Sequence, residues 1–211
     1  SSASADRAPL ILFEGRSGST LPIKWGSKSP GSPAHIQWAL VTERVEIENN
    51  VSAGNCGTRL APPLLQHIPK DELEQIITEA AAQWSKLSGL SIGRASSMEQ
   101  ADVLIGMQTT PKEFAHTELD TAPAAPHDSM RRARKGAICI NPNLTWHTAE
   151  HAREPREDLS YALLHELGHI AGLDHTGPKG DLMGFNATGN ESITPEIRKA
   201  VQFLYGPPPP R

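Results

Sequence analysis

The sequence predicts one globular domain in which helices and strands are mixed. Two observations carry this reading: three segments place apolar residues three and four apart, and short apolar or alternating runs lie between them. A third points the same way, because 17 glycines and 18 prolines among 211 residues predict long irregular connections in place of a tight helical bundle.

In chain order, Ser1 to Ser32 is rich in Gly, Ser and Pro around one apolar run from Leu10 to Phe13, and reads as an extended leader packed across the domain surface. His35 to Ile47 alternates in part, with Ile36, Trp38 and Leu40 followed by Val45 and Ile47, which predicts a half-buried strand. Asn49 to Pro63 reads as loop. Leu73, Ile76, Ile77, Ala80, Trp84 and Leu87 then form one apolar helical face, opened at Asp71 and closed at Gly89. Leu90 to Gly93, Ala101 to Met107 and Gly136 to Asn141 predict three strands, the second with a continuous Val103-Leu104-Ile105 suited to a central position. Pro155 to Ala171 is the second helix, with Pro155 near its first turn and Gly172 at its C-terminal stop. Thr194-Pro195-Glu196 opens the last helix, which carries Ile197, Ala200, Val201 and Leu204 on one face. The domain proper is thus expected over residues 33–206, after a leader or trimmed pro-segment remnant over 1–32 and before a proline-rich tail over 207–211.

Charge and hydropathy exclude several classes. With 20 Lys and Arg against 24 Asp and Glu, the net charge of −4 argues against a nucleic-acid partner held by phosphate contacts. The 37% hydrophobic and 21% charged content suits a folded soluble chain, which is expected to be monomeric. No run approaches the roughly 20 apolar residues of a membrane span. Ser1-Ser2-Ala3-Ser4-Ala5 has neither an initiator Met nor an apolar signal core and reads as a mature or trimmed start. Cys56 and Cys139 lack Cys-x-x-Cys spacing, so neither a zinc ribbon nor thioredoxin chemistry is suggested. One disulfide would suit a secreted or periplasmic protein; two buried free thiols are the alternative.

The chemistry concentrates in His165-Glu166-Leu167-Gly168-His169-Ile170-Ala171-Gly172-Leu173-Asp174-His175. Histidines four apart on a helix share a face, so both imidazoles can reach one metal ion, for which zinc is the natural occupant. Glu166 projects beside the metal and can hold a bound water, which makes it the candidate general base. Gly172 can take the positive φ that turns the chain back and brings His175 in as third ligand. Three nitrogens leave a fourth position for water, the arrangement of a catalytic zinc. Asp174 is either an acceptor for the third ligand or an exposed loop carboxylate, and Tyr161 is expected to pack. His127, His147 and His151 are isolated and assigned no metal, and Arg131-Arg132-Ala133-Arg134-Lys135 reads as a solvated basic loop.

The segment resembles the zinc signature of the metzincin metallopeptidases, and Asp181-Leu182-Met183-Gly184 is similar to their methionine turn. Met183 follows His175 by eight residues, as in the matrixins. Ala82-Gln83-Trp84, Ala101-Asp102-Val103-Leu104-Ile105, Trp146 and Phe203-Leu204-Tyr205-Gly206 extend the resemblance to matrixin catalytic domains over roughly Ile23 to Gly206. The resemblance implies an α+β metzincin fold: a twisted, mostly parallel sheet of about five strands with an antiparallel edge strand near Phe114 to Leu119, three helices, and a zinc cleft above the methionine turn of Met183. It also implies an endopeptidase that binds an extended protein or peptide substrate along that edge, with one catalytic zinc on His165, His169 and His175. Glu166 then activates the zinc-bound water. The loop from Gly184 to Ser192 would wall the pocket for the residue after the cut, where Phe185 gives an apolar preference.

Several positions depart from the family pattern. Phe185 stands where astacins and serralysins carry Tyr, so no tyrosine-assisted mechanism is implied. His116 lies where one ligand of the animal matrixins' structural zinc would be, and beside the edge it is also a candidate pocket residue. Cys139 replaces another such ligand and the loop that would carry them is short, so the sequence leaves a structural zinc and its calcium open. Asn55-Cys56-Gly57-Thr58 follows the first predicted strand and so does not match a propeptide thiol motif. Two other classes compete with the endopeptidase: a zinc-stabilised binding module or pseudopeptidase, and a zinc hydrolase acting on a small amide. Glu166 argues against the first, since a structural metal site does not require it.

Overall fold

In the computed structural model, residues 21–47, 56–148, 157–176 and 180–210 are described. Residues 1–20 of the expected leader, Pro155 and His151 lie outside the described residues. Eleven elements follow one another: β1 (Ile23–Lys24), β2 (Ala34–Leu40), β3 (Val45–Glu46), β4 (Arg59–Ala61), α1 (Lys70–Ser85), β5 (Leu90–Arg94), β6 (Val103–Gln108), β7 (Ala115–Thr121), β8 (Arg131–Ile140), α2 (Leu159–Ile170) and α3 (Pro195–Tyr205).

The frame is the expected one. Strands run in the order β5, β2, β6, β8, all parallel, with Trp38 opposite Val103 and Ile105 opposite Ile138, and β7 adds antiparallel on β8 as the edge. Val103, Ile105, Ile138 and Ile140 are almost completely buried, as strands covered on both faces require. The buried sides of all three helices join these residues and Trp38 in one core. Trp84 of α1 donates from its indole to the Leu164 carbonyl at 2.8 Å, which fixes α1 against α2. On strands, alternate residues face opposite sides. Ala137 and Cys139 therefore enter a second, smaller core with Val41, Cys56 and Leu60.

Three short strands enlarge this frame. The single strand expected over His35 to Ile47 breaks after Leu40, and its second part is β3, paired antiparallel with β4 in a stretch read as loop. β4 pairs with β6 beyond the reach of β2, Ala61 opposite Met107. The Cys56–Cys139 disulfide, spanning 83 residues, ties this insertion to β8 and settles the alternative left open by the sequence. Ile23–Lys24, from the stretch read as leader, pairs parallel with Arg131 and Arg132 at the start of β8.

The basic run of residues 131–135 is accordingly strand and not the expected solvated loop. β7 lies along it, Arg134 reaches Asp120 at 2.9 Å, and Lys135 donates to the Ala101 carbonyl at 2.9 Å. Alternation explains the misreading, because Arg131 and Ala133 are buried while Arg132, Arg134 and Lys135 face outward. α2 starts at Leu159, later than Pro155, because Asp158 accepts hydrogen bonds from the Ser160 and Tyr161 amides and so caps it. α3 opens as expected, with the Thr194 hydroxyl accepting from the Ile197 amide and Pro195 in the first turn.

Candidate active site

Most of α2 is packed into the core, with Leu159, Leu163, Leu167 and Ile170 almost fully buried, while Ser160, Tyr161 and Leu164 keep partial exposure. His165 and His169 lie one turn apart on it and are themselves buried. After Ala171 the chain reverses: Gly172 takes φ +107°, its amide donates to the His169 carbonyl, and the Leu173 amide donates to the Gly168 carbonyl at 3.0 Å. A side chain here would also strike the Ile23 carbonyl, 2.3 Å from an ideal Cβ. This reversal brings His175 back, and one ring nitrogen from each of His165, His169 and His175 lies within 4.8 Å of the others.

The hydrogen bonds assign the tautomers. His165 Nδ1 sits 2.7 Å from the Leu182 carbonyl and His169 Nδ1 sits 2.7 Å from the Leu173 carbonyl. Carbonyls only accept, so both Nδ1 atoms carry the proton and both Nε2 atoms present lone pairs. Burial keeps the rings neutral, holding His165 down at about 4 and His169 well below the ordinary histidine value. His175 is lowered as well, chiefly by burial, with the Asp174 carboxylate opposing.

The two Nε2 atoms are only 3.2 Å apart. Facing lone pairs repel at that distance unless a cation lies between them. Ligands about 2.0–2.1 Å from a tetrahedral zinc would be separated by about 3.3 Å, so the donor set fits such an ion. These three histidines could hold a metal ion.

The turn that carries Met183 packs against α2. Met183 is fully buried, with its sulfur 2.4 Å from where a Cβ on Gly168 would stand, so the helix approaches the turn as closely as a glycine permits. Asp181 organises the turn: one carboxylate oxygen accepts from the Met183 amide at 2.8 Å and the other from the Thr194 hydroxyl at 2.7 Å. The Leu182 carbonyl is thereby held where His165 needs it. The signal for this was Asp two residues ahead of Met, a side chain prone to bond its own backbone.

Glu166, next to His165, is buried and accepts a hydrogen bond from the Thr117 hydroxyl of β7 at 2.6 Å. Burial pushes its carboxyl up to about 8, and the Thr117 bond pulls the other way. Thr117 carried no sequence signal.

Phe185 stacks on His175 with ring centroids 4.5 Å apart and planes 20° from parallel, yet remains 71% exposed. Asp174 accepts from the His175 amide at 2.8 Å and stays half exposed. Tyr161 packs 5.8 Å from His165, centroid to centroid. His116 lies on β7 outside the three-histidine cluster, its Nε2 3.2 Å from the Lys112 carbonyl. His147 stands 3.8 Å from Glu157 and belongs to no metal-binding group among the described residues.

A mostly parallel sheet with β7 as an antiparallel edge, three helices and a three-histidine cluster that could hold a metal ion define an α+β domain. The Matrixin family model matches residues 60–206, and the chain belongs to that family. It is 26% identical to mouse (Mus musculus) stromelysin-3 over 66% of this chain and 28% of that protein. It is 24% identical to the metalloendoproteinase 5-MMP of Arabidopsis thaliana over 64% of this chain and 40% of that protein. The matched region thus spans well under half the length of both relatives.

Proposed function

We propose that this chain is a zinc-dependent endopeptidase that hydrolyses internal peptide bonds of protein substrates. The observation that carries the reading is the pair of Nε2 atoms 3.2 Å apart on His165 and His169, with His175 beside them and Glu166 next in sequence to the first. His165, His169 and His175 would hold the zinc through ring nitrogens, supported by Met183 and the reversal at Gly172. Zinc, when bound, supplies Lewis acidity for the scissile carbonyl and lowers the pKa of water to about 7. Glu166 removes a proton from the attacking water and delivers it to the leaving nitrogen, with its carboxylate as the carrier in both transfers.

β7 supports an extended substrate. It pairs with β8 on one side, and among the described residues no strand takes its other edge, so a peptide can add there through main-chain hydrogen bonds. Phe185 beside His175 would contribute an apolar pocket wall, and His116 on β7 would lie along the peptide. Residues 33–206, with the β1 segment that pairs with β8, form the catalytic unit in this reading, acting as a monomer outside the cytoplasm, which the disulfide favours.

The test is zinc content by elemental analysis together with casein cleavage. Wild type and Glu166→Ala should each hold about one zinc. Cleavage should fall about 10²- to 10⁴-fold in Glu166→Ala. Full activity in Glu166→Ala would overturn the assigned mechanism, and one zinc with no cleavage by wild type would favour a binding role.

A further inference from the structure

We propose that Thr117 is a positioning residue for Glu166: its hydroxyl, presented by β7, fixes one carboxylate oxygen and leaves the other to exchange the proton. This rests on the reading of Glu166 as the base. Thr117 Oγ1 lies 2.6 Å from Glu166 Oε2 and 3.1 Å from the carbonyl oxygen of the same residue. A hydroxyl has one proton to donate, and a carboxylate outcompetes a carbonyl for it, so the bond belongs to Oε2. Glu166 is only 7% exposed, so whenever its carboxylate is ionised it depends on protein donors to hold it.

The face of the strand matters as much as the distance. Alternation along β7 puts Thr117 and the fully buried Leu119 on the side of α2, while Glu118 faces the insertion and accepts from the Cys56 amide at 2.8 Å. No adjacent residue of β7 can therefore take over the role of Thr117. In the proposed function the same strand receives the peptide, so substrate register and the aim of the base are set by one element. A peptide pairing with β7 would order the residue that orients Glu166, which links binding to turnover.

Steady-state cleavage of a fluorogenic peptide by three variants tests this, with zinc content and thermal unfolding measured on each. Thr117→Val keeps the shape and removes the hydroxyl. Its kcat should fall about 10- to 100-fold, the cost of misaiming a catalytic group, while KM and zinc content hold. Thr117→Ser keeps the hydroxyl and loses the methyl, and should retain wild-type kcat. Thr117→Ala removes the hydroxyl without introducing a second methyl beside the carboxylate. It should match Thr117→Val, and it decides the matter if the valine variant is poorly folded. Wild-type kcat in the hydroxyl-free variants, or a serine variant as slow as they are, would overturn the proposal. Glu166→Ala in the same assay separates the two readings: if it is inactive while the hydroxyl-free variants are fully active, only the role of Thr117 fails. If it is fully active, the assignment of the base fails.

Discussion

Two residues on or just after α2 have no substitute. At Gly172 the backbone sits at φ +107° and an added Cβ would meet the Ile23 carbonyl at 2.3 Å. Gly172→Ala therefore combines a left-handed penalty with a backbone clash, and should cost roughly 2–4 kcal/mol in urea unfolding. Because His175 follows three residues later, zinc retention should weaken in the same variant. His169 bridges both aspects of the site, with Nδ1 held by the Leu173 carbonyl and Nε2 next to that of His165. His169→Ala should abolish zinc retention in dialysed protein, measured by elemental analysis, whereas Glu166→Ala should not.

At the scale of elements, the C-terminal end of α2 is closed from two distant parts of the chain. Trp25, just past β1, donates from its indole to the Ile170 carbonyl at 2.7 Å. Tyr205, the last residue of α3, donates to the Ala171 carbonyl at 2.7 Å and accepts from the Trp25 amide at 3.1 Å. Both chain ends of the described domain thus satisfy carbonyls that a helix leaves open at its C-terminus. Tyr205→Phe deletes one oxygen and strands two buried backbone groups, so it should cost about 1–3 kcal/mol of stability by urea unfolding. The β3–β4 insertion is held from the opposite face of the sheet by the Cys56–Cys139 bond. Replacing both cysteines by serine should lower stability by about 2–5 kcal/mol, since a long loop is released in the unfolded chain.

For the whole molecule, Lys24 makes stability depend on pH in an uncommon direction. It is fully buried, and its ammonium donates to the Trp25 carbonyl, the Ser27 carbonyl and the Ser32 hydroxyl, all neutral, above the Tyr205 ring. Burial lowers it from 10.5 to about 8. Below about 8 both folded and unfolded chains carry the charge, and the folded state bears the full penalty. Between about 8 and 10.5 the unfolded chain binds more protons, so stability rises with pH. In urea unfolding, wild type should gain about 2 kcal/mol relative to Lys24→Met between pH 7 and 9.5. The comparison is needed because burial holds the Glu166 carboxyl up at about 8, and its proton loss over the same range lowers stability in both proteins. Tyr205, raised by burial, opposes the trend only above its ordinary value near 10.

Local relations were readable from the residues alone. Histidines four apart, a glycine three residues on and a third histidine three beyond it specify a helix, a reversal and a shared ligand set, because each relation lies within a turn or two of chain. The apolar faces of α1, α2 and α3 were legible for the same reason. Tertiary structure alone decided which polar groups meet. Thr117 reaches Glu166 across 49 residues and Trp25 reaches Ile170 across 145. The basic run became a strand only because β7 and β1 pair with it. A threonine or arginine that will find a distant partner has the same local pattern as one facing water, and only burial of the common core, which brings those segments together, tells them apart.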